Sequence, residues 1–296
     1  MKVLVQFSGG KDSQACLIYA CEKFGPDNVT AVFCDTGWEH HVTYQHVKDV
    51  VAKLGCGLTV LRNNKLDGME GLCRRMKWFP DTRKRMCTVF LKIQPFIDYV
   101  LSLDDDLLII QGIRAEESVS RANMSCSGDY FNDYKKGDTK RSLYQKSKVL
   151  AWCVNHSATV DRPFFKVLAD DVVSYIVSHG QDVNPLYRRG CSRVGCYPCI
   201  MARKSELQIL AKEPEYVERL LNLERTVNEL RGTDKGNPAS FFPIGKIPGR
   251  FCKTYGHDIP AFEDILNYLK TFDNPTFFDD EFSQQSCLSV YHGLCE

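Results

Sequence analysis

Phe7-Ser8-Gly9-Gly10-Lys11-Asp12-Ser13 follows directly on the apolar run Val3-Leu4-Val5, and the reading of this junction decides the fold. A buried strand that runs into two glycines and then into a helix near Asp12 makes a loop suited to holding phosphate. Glycines let the backbone approach an anion without a Cβ in the way, and the N–H groups at the start of a helix attract negative charge. Lys11 adds a mobile positive charge, and Ser8 and Ser13 add hydroxyl donors. The pattern is not the G-x-x-x-x-G-K-[ST] of P-loop NTPases, because its glycines are adjacent rather than five residues apart.

Outward from this loop the chain alternates. Val3 to Phe7 reads as a first strand, Ser13 to Lys23 as a helix, Val29 to Cys34 as a second strand and Thr43 to Leu54 as a helix. Leu58 to Arg62 reads as a third strand, Ile93 to Leu103 as an amphipathic helix, and Leu107 to Gln111 as a central strand ending at Gly112. This is the α/β pattern of a Rossmann-like parallel sheet with helices on both faces, whose ligand crevice lies at the carboxyl ends of the strands. From Asn123 to Lys148 the periodicity fades into a basic stretch read as a loop or lid, and within it the tyrosine-bearing segment Tyr130 to Lys148 reads either as a solvated loop or as one that tracks a nucleic-acid backbone. Asp170 to His179 is helical, a single charged helix is expected from Ser205 to about Arg231, and the remainder reads as irregular and aromatic. The expected organisation is therefore residues 1–205 as a nucleotide-binding catalytic domain and residues 206–296 as a helical and irregular extension.

Ser8-Gly9-Gly10-Lys11-Asp12-Ser13 resembles the SGGxDS loop of the ATP pyrophosphatases, or PP-loop enzymes, of the adenine nucleotide alpha hydrolase superfamily. That resemblance implies that the loop grips the pyrophosphate of an adenine nucleotide, with Mg²⁺. Phe33-Cys34-Asp35-Thr36-Gly37-Trp38-Glu39 resembles the second strand tip of the same superfamily, which implies that Asp35, Thr36 and Gly37 hold the adenosine half. Gly112-Ile113-Arg114-Ala115-Glu116-Glu117-Ser118 with Arg121 resembles the G-x-R-x-x-E-S-x-x-R segment of the phosphoadenosine phosphosulfate reductase branch. There Gly112 gives backbone access, Arg114 and Arg121 are forked donors for phosphate or sulfate oxygens, and Glu117 orients an arginine. Arg162-Pro163-Phe164-Phe165-Lys166 and Asn184-Pro185-Leu186-Tyr187 also resemble that branch, with Arg162 and Arg193 as candidate anion contacts.

Cys191, Cys196 and Cys199 stand at C-x4-C-x2-C spacing, which lets a tight turn bring three thiols to one inorganic centre. The chain has 14 cysteines and no export pattern, so a metal or redox site is a better reading than a disulfide framework. Cys87 is the expected fourth ligand, because Arg85 to Lys92 resembles a C-T-x-x-L-K stretch that accompanies such clusters in iron–sulfur DNA phosphorothioation enzymes and their relatives. Cys252 stands in reserve. The resemblance implies a 4Fe-4S cluster, while thiol chemistry alone permits zinc equally. At the carboxyl end, His292-Gly293-Leu294-Cys295-Glu296 resembles, in altered order, the mobile Glu-Cys-Gly-Leu-His tail of sulfonucleotide reductases. It implies a catalytic Cys295 with Cys287 as a resolving thiol.

Lysine and arginine number 38 against 37 aspartate and glutamate, so bulk charge argues for no wholesale nucleic-acid or membrane binding. No apolar run is long enough to span a membrane, and a cytoplasmic protein is expected. Sulfonucleotide reductases resemble one another in a degenerate loop that lacks Lys-Asp, whereas Lys11 and Asp12 are both present here. The favoured expectation is an ATP pyrophosphatase that adenylates an acceptor for sulfur transfer, with Lys11, Asp12 and Arg114 catalytic. The alternatives are reduction of adenylyl sulfate or its 3′-phosphorylated form, and a nucleotide-binding subunit without turnover. The acceptor stays open between nucleic acid and a small metabolite, with a sulfur-donor or electron-donor protein as a further partner.

Overall fold

The computed structural model describes residues 1–136, 143–232 and 236–272. Among these, six strands form one sheet: β1 (Lys2–Gln6), β2 (Val29–Cys34), β3 (Gly57–Leu61), β4 (Leu107–Gln111), β5 (Ser127–Asp129) and β6 (Ala158–Asp161). Their order is β3-β2-β1-β4-β6-β5, parallel throughout except for β5, which runs antiparallel to β6. Val5 of β1 stands between Ala31 of β2 and Ile110 of β4. The strand order therefore reverses between β1 and β4, and a crevice for ligand opens at their carboxyl ends.

Helices α1 (Lys11–Phe24), α2 (His41–Leu54) and α9 (Ala169–Ser178) cover one face of this sheet. Val3, Val5 and Phe7 pack there against Leu17, Ile18, Val47 and Ile176. Leu4, between them in sequence, points to the other face and joins Phe96, Ile97 and Val100 of α5 (Gln94–Leu101). Each such large apolar side chain contributes about 1.5–3 kcal/mol by leaving water.

Between β3 and α5 lie α3 (Gly68–Met76), the short α4 (Met86–Thr88) and a π-helical turn, Val89–Ile93. Turns of that kind are frequent beside functional sites. Beyond β4 the chain forms α6 (Val119–Ala122), α7 (Asn132–Lys136), α8 (Lys146–Trp152), α10 (Pro185–Arg188), α11 (Lys204–Leu210), α12 (Pro214–Arg231) and α13 (Phe262–Leu269).

Four sequence expectations are corrected. Asn123 to Lys148 is not simply a lid, since β5 and α7 lie within it and Phe131 and Tyr134 are buried in the core; residues 137–142 lie outside the described region. The strand β6 has no counterpart in the sequence reading, being four residues long with Thr159 and Asp161 interrupting its apolar pattern. The single helix expected from Ser205 is two, because Pro214 has no N–H to continue α11 and instead opens α12. Within the aromatic remainder, residues 236–272 are also ordered around α13, and residues 273–296 lie outside the described region. Leu220, Leu223, Phe241 and Phe262 share one core with Trp38, Leu72 and Cys191. Glu224 ties this region together by accepting from the Phe241 N–H at 3.0 Å and the Phe262 N–H at 2.8 Å. Burial raises its carboxyl to about 7.

Behind the glycine loop, His46 donates from Nε2 to Gln14 Oε1 at 3.1 Å, and Gln14 donates to Gln181 Oε1 and the Asp182 carbonyl. Burial pushes the His46 imidazole down to about 4. An unfolded histidine titrates near 6.5, so the unfolded chain takes up a proton that the fold refuses between those values. Stability from this group is intact above pH 6.5 and is lost as the pH falls toward 4. Replacing His46→Gln keeps a donor and removes the titration. Urea unfolding at pH 7 and pH 4.5 is expected to show the native protein losing about 2–3 kcal/mol more than the variant on acidification. Equal losses would overturn the assignment.

Candidate functional site

The loop Phe7-Ser8-Gly9-Gly10 leaves β1 at the switch point and enters α1 with Gly10 as an extended cap. Gly9 holds φ +84°, and a Cβ on it would stand 3.0 Å from Thr43 Cγ2 and 3.1 Å from Val47 Cγ2. The loop is closed upon itself: the Ser8 N–H donates to Ser13 Oγ at 3.2 Å, and Ser13 Oγ donates to the Gly10 carbonyl at 3.0 Å. It is also held from behind. Asn184 Nδ2 lies 3.3 Å from the Gly9 carbonyl and 3.2 Å from Thr43 Oγ1, while its own Oδ1 caps α10. The Lys11 N–H donates to Tyr187 OH at 3.2 Å, and Lys11 Nζ lies 5.3 Å from the centre of the Tyr187 ring. Asn184 and Tyr187, read only as part of a segment in the sequence, thus position the phosphate loop.

Asp12 is fully buried and each of its oxygens meets a cation. Lys11 Nζ stands 3.1 Å from Oδ2, and Arg114 Nε donates to Oδ1 at 2.5 Å. Arg114 also pairs with Glu116, its N–H donates to Glu117 Oε2 at 2.9 Å, and Glu117 in turn pairs with Arg121. The predicted motif is therefore assembled, but as two ion pairs, Arg121 with Glu117 and Arg114 with Asp12, joined through the Arg114 backbone N–H. Gly112 carries a different burden from the one expected of it. A Cβ there would lie 2.5 Å from the Ser13 nitrogen and 2.7 Å from the Asp12 carbonyl carbon, so glycine is what lets β4 touch the start of α1.

At the tip of β2 the side chains of Asp35 and Thr36 are engaged within the protein. Asp35 accepts from Gly37 N–H at 2.8 Å and Arg62 Nε at 2.6 Å, and Thr36 Oγ1 donates to Glu39 Oε1 at 2.6 Å. The Tyr44 hydroxyl sits 2.7 Å from Asp35 and 2.9 Å from Glu39, and burial together with these carboxylates pushes its phenol far above the usual range. This turn is the seat of the cysteine loop. Glu39 bridges to Cys196, the Tyr197 N–H donates to the Trp38 carbonyl at 2.6 Å, and Trp38 Nε1 donates to the Pro198 carbonyl at 3.0 Å.

Cys87, Cys196 and Cys199 line one cavity of ≈ 40 Å³ together with Ser8 of the phosphate loop, Arg85, Lys92 and Arg193. Burial raises the Cys196 thiol well above its ordinary range, with the Lys92 charge opposing. Cys191 sits instead in the apolar core behind, its N–H on the Leu186 carbonyl at 3.1 Å, and burial with Glu206 and Glu213 nearby pushes its thiol up to about 12. Cys252 is buried near Asp264 and Asp258. Among the described residues no three histidine, cysteine, aspartate or glutamate side chains stand close enough to chelate an ion as placed. The cavity lining nonetheless brings three thiols, the soft donors of zinc and iron–sulfur chemistry, together with three cationic side chains. Cys73 was missed in the sequence; it is fully buried and its charge couples to that of Cys87. Arg85 and Lys92 were missed too, although both fall in the stretch that named Cys87.

Arg162 lines a separate polar cavity of ≈ 470 Å³ beside β5 and β6, where burial lowers its guanidinium to about 10. Cys287 and Cys295 lie outside the described residues. No helix among the described residues is long and apolar enough to cross a membrane.

The chain is 30% identical to an uncharacterized 37.8 kDa protein of Escherichia phage 186, over 99% of this chain and 96% of that protein. Among solved structures it is similar to the phosphoadenylyl-sulfate reductase of Candida auris in a phosphate complex, at a TM-score of 0.46 and 15% identity, covering 67% of this chain and 83% of that one. It is also similar to the U34-tRNA thiolase NcsA of Methanococcus maripaludis with its [4Fe-4S] cluster, at a TM-score of 0.42 and 16% identity, covering 100% of this chain and 82% of that one. Residues 2–202, the whole stretch from β1 through the cysteine loop, match the phosphoadenosine phosphosulfate reductase domain, and the chain belongs to that family.

Proposed function

We propose that the protein is an ATP pyrophosphatase that activates an acceptor for sulfur transfer, releasing pyrophosphate and forming an adenylated acceptor. The observation that carries this reading is the cavity in which Ser8 of the phosphate loop and the thiols of Cys87, Cys196 and Cys199 share one wall. That shared wall supports a reading in which nucleotide activation and sulfur chemistry act on the same group.

In this reading the backbone of Gly9 and Gly10 and the first N–H groups of α1 hold the β and γ phosphates, with the Ser8 and Ser13 hydroxyls beside them. Lys11 neutralises the charge that gathers on the leaving pyrophosphate as the α–β bond breaks. Arg114 holds Asp12, and Asp12 holds Lys11, so both act by positioning that cation. Asp12 is committed to two cations already, and Mg²⁺ accompanying ATP would draw its ligands from phosphate oxygens and water, as that ion commonly does. The backbone around Asp35, Thr36 and Gly37 would hold the adenosine half on the β2 side. Residues 1–205 carry this chemistry, and the described residues between 206 and 272 brace the cysteine loop through the core around Trp38.

Cys87, Cys196 and Cys199 would hold a 4Fe-4S cluster or zinc, with Cys191 behind the loop rather than in the cavity lining. Such a centre supplies, when bound, an open coordination position for a sulfur ligand. Arg85, Lys92 and Arg193 in the same lining would offset the negative charge of such a centre.

Reduction of a sulfonucleotide is the second reading, supported by the family match. Incubation with labelled ATP and with adenylyl sulfate separates the two. Pyrophosphate release supports the first, sulfite production replaces it with the second, and binding without turnover removes both. Anaerobic purification is expected to yield a brown protein with charge-transfer absorption, and a colourless zinc protein would refute the cluster.

A further inference from the structure

Arg162 follows β6 and is only 6% exposed, yet its Nε finds no hydrogen-bond partner among the described residues. Its Nη1 donates to the Ser125 carbonyl at 2.7 Å, and no carboxylate among the described residues pairs with it. A buried guanidinium without a counter-charge is costly, and ordinarily such a group is paired. The ≈ 470 Å³ cavity that it lines shares no lining residue with the thiol cavity, and its volume falls in the roughly 300–1,000 Å³ range of small-molecule sites. Asp129 of β5 and Asp133 of α7 line it too. Asp129 faces Thr159 across the β5–β6 pair, three residues before Arg162, so the acidic pole stands roughly 10 Å along the strand from the basic one. Asp129 is partly spent, accepting from the Phe131 N–H at 2.9 Å and pairing with Lys135, whereas Asp133 forms no ion pair among the described residues. The amides of Asn123 and Asn132 add neutral donors and acceptors to the same wall.

This polarity selects the ligand. With Nη1 taken, a ligand meets the edge formed by Nε and Nη2, which a carboxylate matches with two parallel N–H···O contacts. A neutral carbonyl would leave the buried charge uncompensated, and the phosphates of a nucleotide would meet Asp129 and Asp133 as like charges. A simple cation would leave Arg162 as it is. A small molecule bearing both charges answers both poles. We propose that this cavity binds a free amino acid, with its carboxylate on Arg162 and its ammonium toward Asp133 and Asp129. The site stands apart from the ATP chemistry above, and it holds or fails whether or not pyrophosphate is released.

The test uses the full chain in excess α,β-methylene-ATP, so that the phosphate loop does not report a carboxylate. The common L-amino acids are screened by thermal shift. The one that stabilises most is then titrated by calorimetry beside its methyl ester, its N-acetyl derivative and acetate. The ester and the N-acetyl form each lack one charge and are expected to bind about tenfold more weakly or worse. Arg162→Met is expected to weaken the amino acid by about 10- to 100-fold, and Asp133→Asn by about 3- to 10-fold. Arg162→Lys keeps the charge without the fork and is expected to fall between the native chain and Arg162→Met. Absence of amino-acid binding in the native chain overturns the proposal. So does acetate that binds as tightly as the amino acid, which would leave a simple anion site. A folded Arg162→Met that binds the amino acid normally, or that loses the ATP analogue along with it, overturns the proposal as well. Should Arg162→Met fail to fold, unaltered affinity in both Arg162→Lys and Asp133→Asn decides against the site.

Discussion

Lys11→Ala is expected to lower pyrophosphate release from ATP by about 10²- to 10³-fold, the range found when one preorganised electrostatic donor is removed from an active site. The reason lies in how little else can do its work. Arg114 reaches the loop from β4, but its Nε is spent on Asp12 and its Nη1 on Glu116, so it offers no mobile charge to a leaving group. Lys11 is half-buried, anchored at 3.1 Å to Asp12 and lying over Tyr187, with its chain beginning at the first residue of α1. Removing it leaves Asp12 paired with Arg114, so the fold is expected to survive with an unchanged melting profile. The charge on pyrophosphate is greater in the transition state than in bound ATP, and the loss is therefore expected mainly in kcat with KM changed less. Radiolabelled ATP with separation of the released pyrophosphate measures it directly. Unchanged release would remove the loop from the chemistry altogether.

Much of this arrangement was legible in the sequence because the motifs sit at strand ends, where turn chemistry is local. The glycine loop, the β2 tip and the Gly112 segment all fall at the carboxyl edge of neighbouring strands, as the βα alternation implied. What escaped was long-range. Arg114 looks like an anion clamp when only its neighbours in sequence are seen, but Asp12 lies 102 residues earlier and claims it. Cys191 shares a spacing with Cys196 and Cys199, yet the turn that carries it packs into the core around Leu186. The strand β6 was hidden because an apolar pattern of four residues with two polar positions is too short to declare a period. Arg85 was hidden for another reason: its burial and its unpaired donors are properties of the cavity and of no motif.

Gly112→Ala is expected to damage both stability and nucleotide binding, and the two losses share one cause. The added Cβ would stand 2.5 Å from the Ser13 nitrogen, 2.7 Å from the Asp12 carbonyl carbon and 2.8 Å from the Ser13 Cα. All three are backbone atoms, so no side chain can rotate away, and either β4 or the first turn of α1 has to move. Gly112 does not adopt a positive φ, unlike Gly9, so the penalty is steric rather than conformational. Overpacking of this kind costs about 1–3 kcal/mol, which for a chain of this size lowers Tm by roughly 2–5 °C. Because the displaced turn is the one that presents the phosphate-binding N–H groups and carries Asp12 against Arg114, ATP affinity is expected to drop by about tenfold or more. Gly57→Ala is the matched control, since a Cβ there meets nothing closer than 3.5 Å, and its melting and binding are expected to stay near those of the native chain. Thermal melting and calorimetric titration with α,β-methylene-ATP on the three proteins decide the matter. A Gly112→Ala chain that melts and binds like the control would mean that the contact between β4 and α1 does not set the shape of the phosphate loop.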